Sequence, residues 1–123
     1  MVGARVDPVF GPLVVVGLGG IMVELLKDSV VALAPVTREE ALAMLRGLKG
    51  SRLLYGFRGS PEVDLDRLAD AVCRISEFAA DQRERFEELD VNPLICTGAR
   101  ITAVDALIVR RTGSILSNEQ VKT

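Results

Sequence analysis

A chain of 123 residues has the length of a single domain, and its 49% hydrophobic content is enough to bury a core. Only 4% of residues are aromatic, so that core must be built mostly from Val, Leu, Ala and Ile. With 15 basic and 17 acidic residues the net charge is −2, which argues against a nucleic-acid binder working through a net basic face. There is no histidine, which excludes histidine acid–base chemistry and histidine-ligated zinc. Cys73 and Cys96 show neither metal-ligand nor redox spacing, and both sit in apolar patterns. They read as reduced core residues of a cytoplasmic protein.

The opening Met1-Val2-Gly3-Ala4-Arg5 is not followed by an uninterrupted apolar run of the signal-peptide kind. Val9 to Val16 is apolar and β-branched and predicts a strand near 12–18, broken by Gly17-Leu18-Gly19-Gly20. Ile21 to Leu26 fits a strand or a helix by periodicity alone, and its β-branching and length favour a second strand. Glu24 and the glycines interrupt the apolar stretch from Leu13 to Leu26 too often for it to span a bilayer, so no membrane segment is expected. Ser29 to Ala34 predicts a third strand, ending at Pro35. Thr37-x-x-Glu40 is a capping box for a helix with Ala41, Leu42, Leu45 and Leu48 at helical spacing, ended by Gly47 and Gly50. After Leu53-Leu54-Tyr55 a loop runs from Gly56 to Pro61. Asp64 can cap a second helix with Leu65, Leu68, Ala69, Val72, Ile75, Phe78 and Ala79 on one stripe.

A hairpin is predicted near 86–109. Glu88, Asp90 and Asn92 alternate with Leu89 and Val91, which in a strand puts the oxygen-bearing side chains on one face and the apolar ones on the other. A turn at Thr97-Gly98-Ala99-Arg100 leads into Ile101-Thr102-Ala103-Val104-Asp105. A symmetric turn there pairs residues whose numbers sum to 197, so Asn92 lies across from Asp105. Cross-strand neighbours have Cβ atoms roughly 5 Å apart. An amide oxygen and a carboxylate at that spacing suit a hard cation such as Mg²⁺, which takes one or two protein oxygens and fills its shell with water and phosphate. A hydrogen-bonded polar pair fixing the hairpin register accounts for the same spacing. From Arg110 the chain turns polar and loses period. The expectation is one α+β unit over 1–111, an antiparallel sheet of about four strands with two helices on one face, and a mobile tail over 112–123.

The set Asp7-Pro8-Val9-Phe10-Gly11-Pro12, Gly17-Leu18-Gly19-Gly20-Ile21-Met22-Val23-Glu24, Leu54-Tyr55-Gly56-Phe57-Arg58-Gly59, Asp90-Val91-Asn92-Pro93 and Val104-Asp105-Ala106 resembles segments of NDP-forming acyl-CoA synthetases, in the same order. These enzymes, with the related succinyl-CoA synthetase β subunit, carry an ATP-grasp domain. The resemblance covers roughly residues 5–109 and matches the C-terminal lobe of that domain. It implies that Asn92 and Asp105 hold Mg²⁺ against the phosphates of ATP or ADP, with Asp90 beside the metal. The whole enzyme would interconvert acyl-CoA, ADP and phosphate with acid, CoA and ATP. The nucleotide-gripping N-terminal lobe and the CoA-binding subunit or domain would be partners, and the isolated chain is expected to be inactive.

Four further residues are weighed against plainer roles. Glu24 lines a phosphate site or is simply exposed at an edge. Arg58, in a loop, pairs with phosphate through its forked donors or is solvated. Asp90 and Glu88 flank the metal pair or belong to an ordinary solvated face. The glycines at 17–20 lack a phosphate-loop pattern and read better as strand breakers. An alternative function is a non-catalytic interaction or regulatory module, as a split subunit or part of an acyltransferase fusion.

Overall fold

The computed structural model describes residues 1–19, 25–56, 59, 61–112 and 120–122. Its strands are β1 (Val2–Asp7), β2 (Gly11–Gly17), β3 (Ser29–Leu33), β4 (Phe86–Val91), β5 (Leu94–Thr97), β6 (Arg100–Ala103), β7 (Ala106–Arg110) and β8 (Gln120–Lys122). Its helices are α1 (Arg38–Arg46) and α2 (Leu65–Asp81), with a 3₁₀ turn at Ser51–Tyr55 between them. The main sheet has six strands in the order β3-β2-β1-β4-β7-β8, every pair antiparallel, and β5 and β6 form a separate two-stranded ribbon. The fold is α+β, as expected.

Each helix begins as its sequence dictates. The Thr37 side chain accepts from Glu40 N while the Glu40 side chain accepts from Thr37 N, so two otherwise orphaned donors are satisfied. Asp64 caps α2 through Arg67 N at 3.1 Å. The buried stripe of α2 is Leu68, Ala69, Val72, Ser76 and Ala79. Phe78, expected on that stripe, is 39% exposed, with its ring 5.9 Å from that of Phe86. Ser76 takes the interior position instead. Its hydroxyl donates to Cys73 O and accepts from Val36 N, which pins the β3–α1 connection to α2.

The helices cover one face of the sheet. Val2, Val14 and Val16 point into this layer against Leu45, Leu68 and Val72, and Ala4, Phe86, Leu89 and Val91 extend it toward β7. Among the described residues no element covers the other face, where Val31 and Leu33 stand exposed.

The structure differs from expectation in several places. Val2–Asp7 is a strand, β1, and it lies at the centre of the sheet. With β1 and β8 included, the sheet has six strands among the described residues, against an expected count of about four. Val9 and Phe10 belong to a turn, in which Asp7 Oδ1 accepts from both their amides and Gly11 adopts φ 79°. The expected strand at Ile21–Leu26 falls mostly on residues outside those described, and its end, Leu25-Leu26, is a turn. Gln120–Lys122, inside the segment expected to be a tail, pairs with Leu107–Val109. Among the described residues no helix is long and apolar enough to cross a membrane.

Candidate functional site

The register predicted for the hairpin extends through both sheets. Thr97↔Arg100 and Leu94↔Ala103 pair in the ribbon, and Val91↔Ala106 and Glu88↔Val109 pair in the main sheet, all summing to 197. Between them Asn92 N donates to Asp105 O at 3.1 Å and Val104 N donates to Pro93 O at 3.1 Å. Pro93 has no N–H to give back, so the ladder is interrupted here and the one long hairpin becomes two pieces.

Strand alternation then defines the open face. Leu89 and Val91 are buried at 7% each, so Glu88, Asp90 and Asn92 point the other way. The cross-strand partners extend these positions into rows. One row carries Val31, Val15, Gly3, Asp90 and Leu107; the next carries Leu33, Leu13, Arg5, Glu88 and Val109. Above them, the same registers carry Ser29 and Gly17 toward Met1, Asn92 and Asp105, and Gly17 N donates to Met1 O at 3.0 Å. The end of the glycine-rich segment and the Asn92–Asp105 pair therefore share one end of one sheet face, although 75 residues separate Gly17 from Asn92 in the chain.

Asn92 is exposed and Asp105 half-buried. Asp105 Oδ1 accepts from Ala106 N at 3.0 Å, which holds the carboxylate against its own strand. Asp90 lies one pleat down the same face. Its Oδ1 is buried and has no hydrogen-bond partner. An orphaned buried carboxylate oxygen is costly, and its natural complement is a cation or a donor from a ligand or another polypeptide. Glu88 is exposed one pleat further on, across from Arg5. Glu24 and Arg58 lie outside the described residues. No cluster of three or more His, Cys, Asp or Glu able to hold a metal occurs among the described residues. Two oxygens at the sheet end, with Asp90 nearby, fit a cation that keeps most of its shell for water and phosphate, as Mg²⁺ does, and do not fit a zinc cage.

Sequence reasoning passed over two residues. Arg5 stands exposed on the open face in a strand that was not expected; the alternation of Val2, Ala4 and Val6 was the available signal. Asp28 is 2% exposed, and its carboxylate accepts from Lys49 N at 2.6 Å and Gly50 N at 2.7 Å. It ties the chain entering β3 to the segment leaving α1, a partnership no local pattern announces.

A sequence profile of the ATP-grasp domain matches residues 1–109. The β subunit of the ADP-forming acetate–CoA ligase I of Pyrococcus furiosus is 42% identical over 109 residues, which is 89% of this chain and 47% of that subunit. A dinucleotide-forming acetyl-coenzyme A synthetase 1 of Ca. Korarchaeum cryptofilum, solved with coenzyme A, acetyl-coenzyme A and a phosphorylated phosphohistidine segment, is 39% identical with a TM-score of 0.85, covering 89% of this chain and 49% of that one. Another structure of the same enzyme holds coenzyme A and Mg-AMPPCP, with 40% identity, a TM-score of 0.82 and coverage of 89% and 51%. The chain thus spans about half the length of these relatives. It belongs to the ATP-grasp family, as the region of that domain found in ADP-forming acetyl-CoA synthetases.

Proposed function

We propose that the chain is the C-terminal, metal- and phosphate-binding lobe of a cytoplasmic NDP-forming acyl-CoA synthetase, incomplete alone. The complete enzyme converts acyl-CoA, ADP and phosphate to acid, CoA and ATP, reversibly. The observation that carries this reading is the cross-strand pairing of Asn92 with Asp105 at the end of an uncovered sheet face, with an unpartnered Asp90 oxygen one pleat away. In phosphoryl transfer the protein mainly positions groups and offsets charge. Asn92 and Asp105 would hold Mg²⁺, which when bound neutralises phosphate charge. Asp90 orients a phosphoryl oxygen's partner or a donor arriving from outside the chain. Leu18 and Gly19, half-buried just past β2, follow at the same sheet end, where Gly17 is already bonded to Met1 through both its N and its O. The partners are ATP or ADP, the N-terminal ATP-grasp lobe and a CoA-binding subunit or domain. The relatives' structures with nucleotide and coenzyme A, and their twofold greater length, support that division.

Co-expression with a candidate N-terminal lobe and CoA-binding part tests the reading. A stable complex by native mass that forms ATP from acyl-CoA, ADP and phosphate is the expected result. A complex that assembles but forms no ATP would favour the interaction-module alternative.

A further inference from the structure

Among the described residues, Arg5 is the only basic side chain on the open face across β1, β2, β3, β4 and β7, and its surroundings are acidic. Glu88 is its cross-strand neighbour, Asp90 lies one row above it, and Asp7 lies below, its carboxyl held under its ordinary range by the Phe10 and Val9 amides and, in smaller part, by the Arg5 charge. β1 lies inside the sheet, yet Arg5 is exposed, and among the described residues no element covers this face. It makes no hydrogen bond or ion pair with a described residue, Glu88 included. Between Arg5 and Asp90 the sheet has Gly3, where a Cβ would come within 3.0 Å of Leu89 O and 3.3 Å of Val15 Cγ1. The side-chain-free backbone there leaves a cleft of about 120 Å³ bounded by Arg5, Glu88, Asp90, Val15 and Met1.

We infer that Arg5 is a phosphoryl-contacting residue of this site, standing across the strand pair from Glu88 and working over the bare backbone of Gly3. The inference rests on the proposed phosphoryl-transfer reading and adds a residue to it. A polyanionic phosphate cannot settle over a face carrying Asp90, Glu88 and Asp105 unless positive charge meets it from more than one side. The metal pair supplies one side. Arg5 is four residues from that row, about 13 Å along the strand, and an extended arginine covers roughly half of this distance toward the space above Gly3. Its planar fork suits two oxygens of one phosphoryl group. The plainer alternative, that Arg5 only offsets the carboxylates around it, predicts a stability effect and no substrate-specific one.

The test uses the assembled enzyme with Arg5→Gln, Arg5→Lys and, as a control on the site itself, Asp105→Asn. Kinetics in the ATP-forming direction are read separately against phosphate and acyl-CoA, alongside the thermal midpoint. Arg5→Gln should lower kcat/KM for phosphate on the order of 10²-fold, leave KM for acyl-CoA unchanged and leave the thermal midpoint in place. Arg5→Lys should recover part of the loss, and it carries the test alone if the glutamine variant does not assemble. If Asp105→Asn is crippled while both Arg5 variants match the parent, the inference about Arg5 is wrong and the metal-site reading stands. Equal losses toward both substrates with a lowered midpoint would reduce Arg5 to charge balance. Parent-like kinetics in all three variants would remove the metal-site reading as well.

Discussion

The amide of Asn92 donates to the carbonyl of Asp105 at 3.1 Å, which fixes the two residues opposite one another at the point where the main sheet hands over to the β5–β6 ribbon. A slip of one residue would send Asp105 to the helix-covered face. The pairing therefore sets which face carries the oxygens before any ligand arrives.

Asp105→Asn tests the role of that carboxylate. The substitution is nearly isosteric and the face is uncovered, so the fold and thermal midpoint should be kept. One negative charge leaves the proposed metal shell. ATP formation by the assembled enzyme should fall on the order of 10²–10³-fold. Near-full turnover at saturating Mg²⁺ would return the Asn92–Asp105 pair to a purely structural role.

The isolated chain should bind Mg²⁺-nucleotide weakly, with Kd no tighter than roughly millimolar, because two protein oxygens rarely retain Mg²⁺ without further phosphate contacts. Calorimetric titration with Mg²⁺-ATP reads this directly. Micromolar binding would show that the half of the domain present here already holds a complete nucleotide site.

How far the sequence led depends on the range of each signal. The register of β4 with β7 and of β5 with β6 follows from a period-2 pattern and one local turn, so Asn92 and Asp105 were legible together. Thr37 and Asp64 announce their helices within three residues. β1 was not legible, since Gly3 and Arg5 dilute a short pattern and Pro8 follows at once. Arg5 lies opposite Glu88, 83 residues away in the chain, so its place beside the site appears only once β1 and β4 pair. The same range effect hid Asp28, whose partners are Lys49 and Gly50. Glu24 and Arg58 rest on segments outside the described residues, so they remain expectations of the sequence.

Asp28→Ala should cost more than any other surface-adjacent carboxylate. Two backbone amides lose a charged acceptor in a site that is 2% exposed. At roughly 1.5–3 kcal/mol for each such bond, the loss should be about 3–6 kcal/mol in denaturant unfolding. Asp28→Asn keeps one acceptor and should lose about half as much. A loss below ~1 kcal/mol for the alanine variant would mean that water replaces the carboxylate at both amides.

Cys96 gives a pH signature. Burial pushes its thiol above the ordinary range, with desolvation the main cause, because the ionised form would face the apolar cavity of about 430 Å³ that it lines with Leu94, Leu45 and Leu68. The folded pKa is raised above the unfolded one, so the native state binds the proton more tightly. That contribution is fully present below the unfolded thiol pKa and is lost as pH rises toward and through the folded value. Stability of the parent should therefore decline on the alkaline side, and Cys96→Ala should flatten that part of the profile while losing some packing at neutral pH. Urea midpoints at neutral and alkaline pH for both proteins decide it. Identical alkaline slopes would show that the Cys96 thiol titrates alike in the folded and unfolded chain and contributes nothing to the pH dependence.

Leu89→Ala separates fold from chemistry within one strand. Leu89 is 7% exposed and packs with Ala4, Phe86 and Val91, while its neighbours Glu88 and Asp90 face the opposite side. Truncation removes buried methyl groups and leaves a cavity, a loss of roughly 2–5 kcal/mol. Nothing on the open face changes, because the backbone pairing of β4 with β1 and β7 does not depend on that side chain. Under stabilising conditions the assembled variant should keep the parent's KM for phosphate and acyl-CoA, with activity scaling with the folded fraction. Asp105→Asn should show the reverse, with a parent-like midpoint and depressed turnover. If Leu89→Ala instead altered the KM for phosphate at full folding, the two faces of β4 would be mechanically coupled. The open-face site could then no longer be treated as a rigid surface set by register alone.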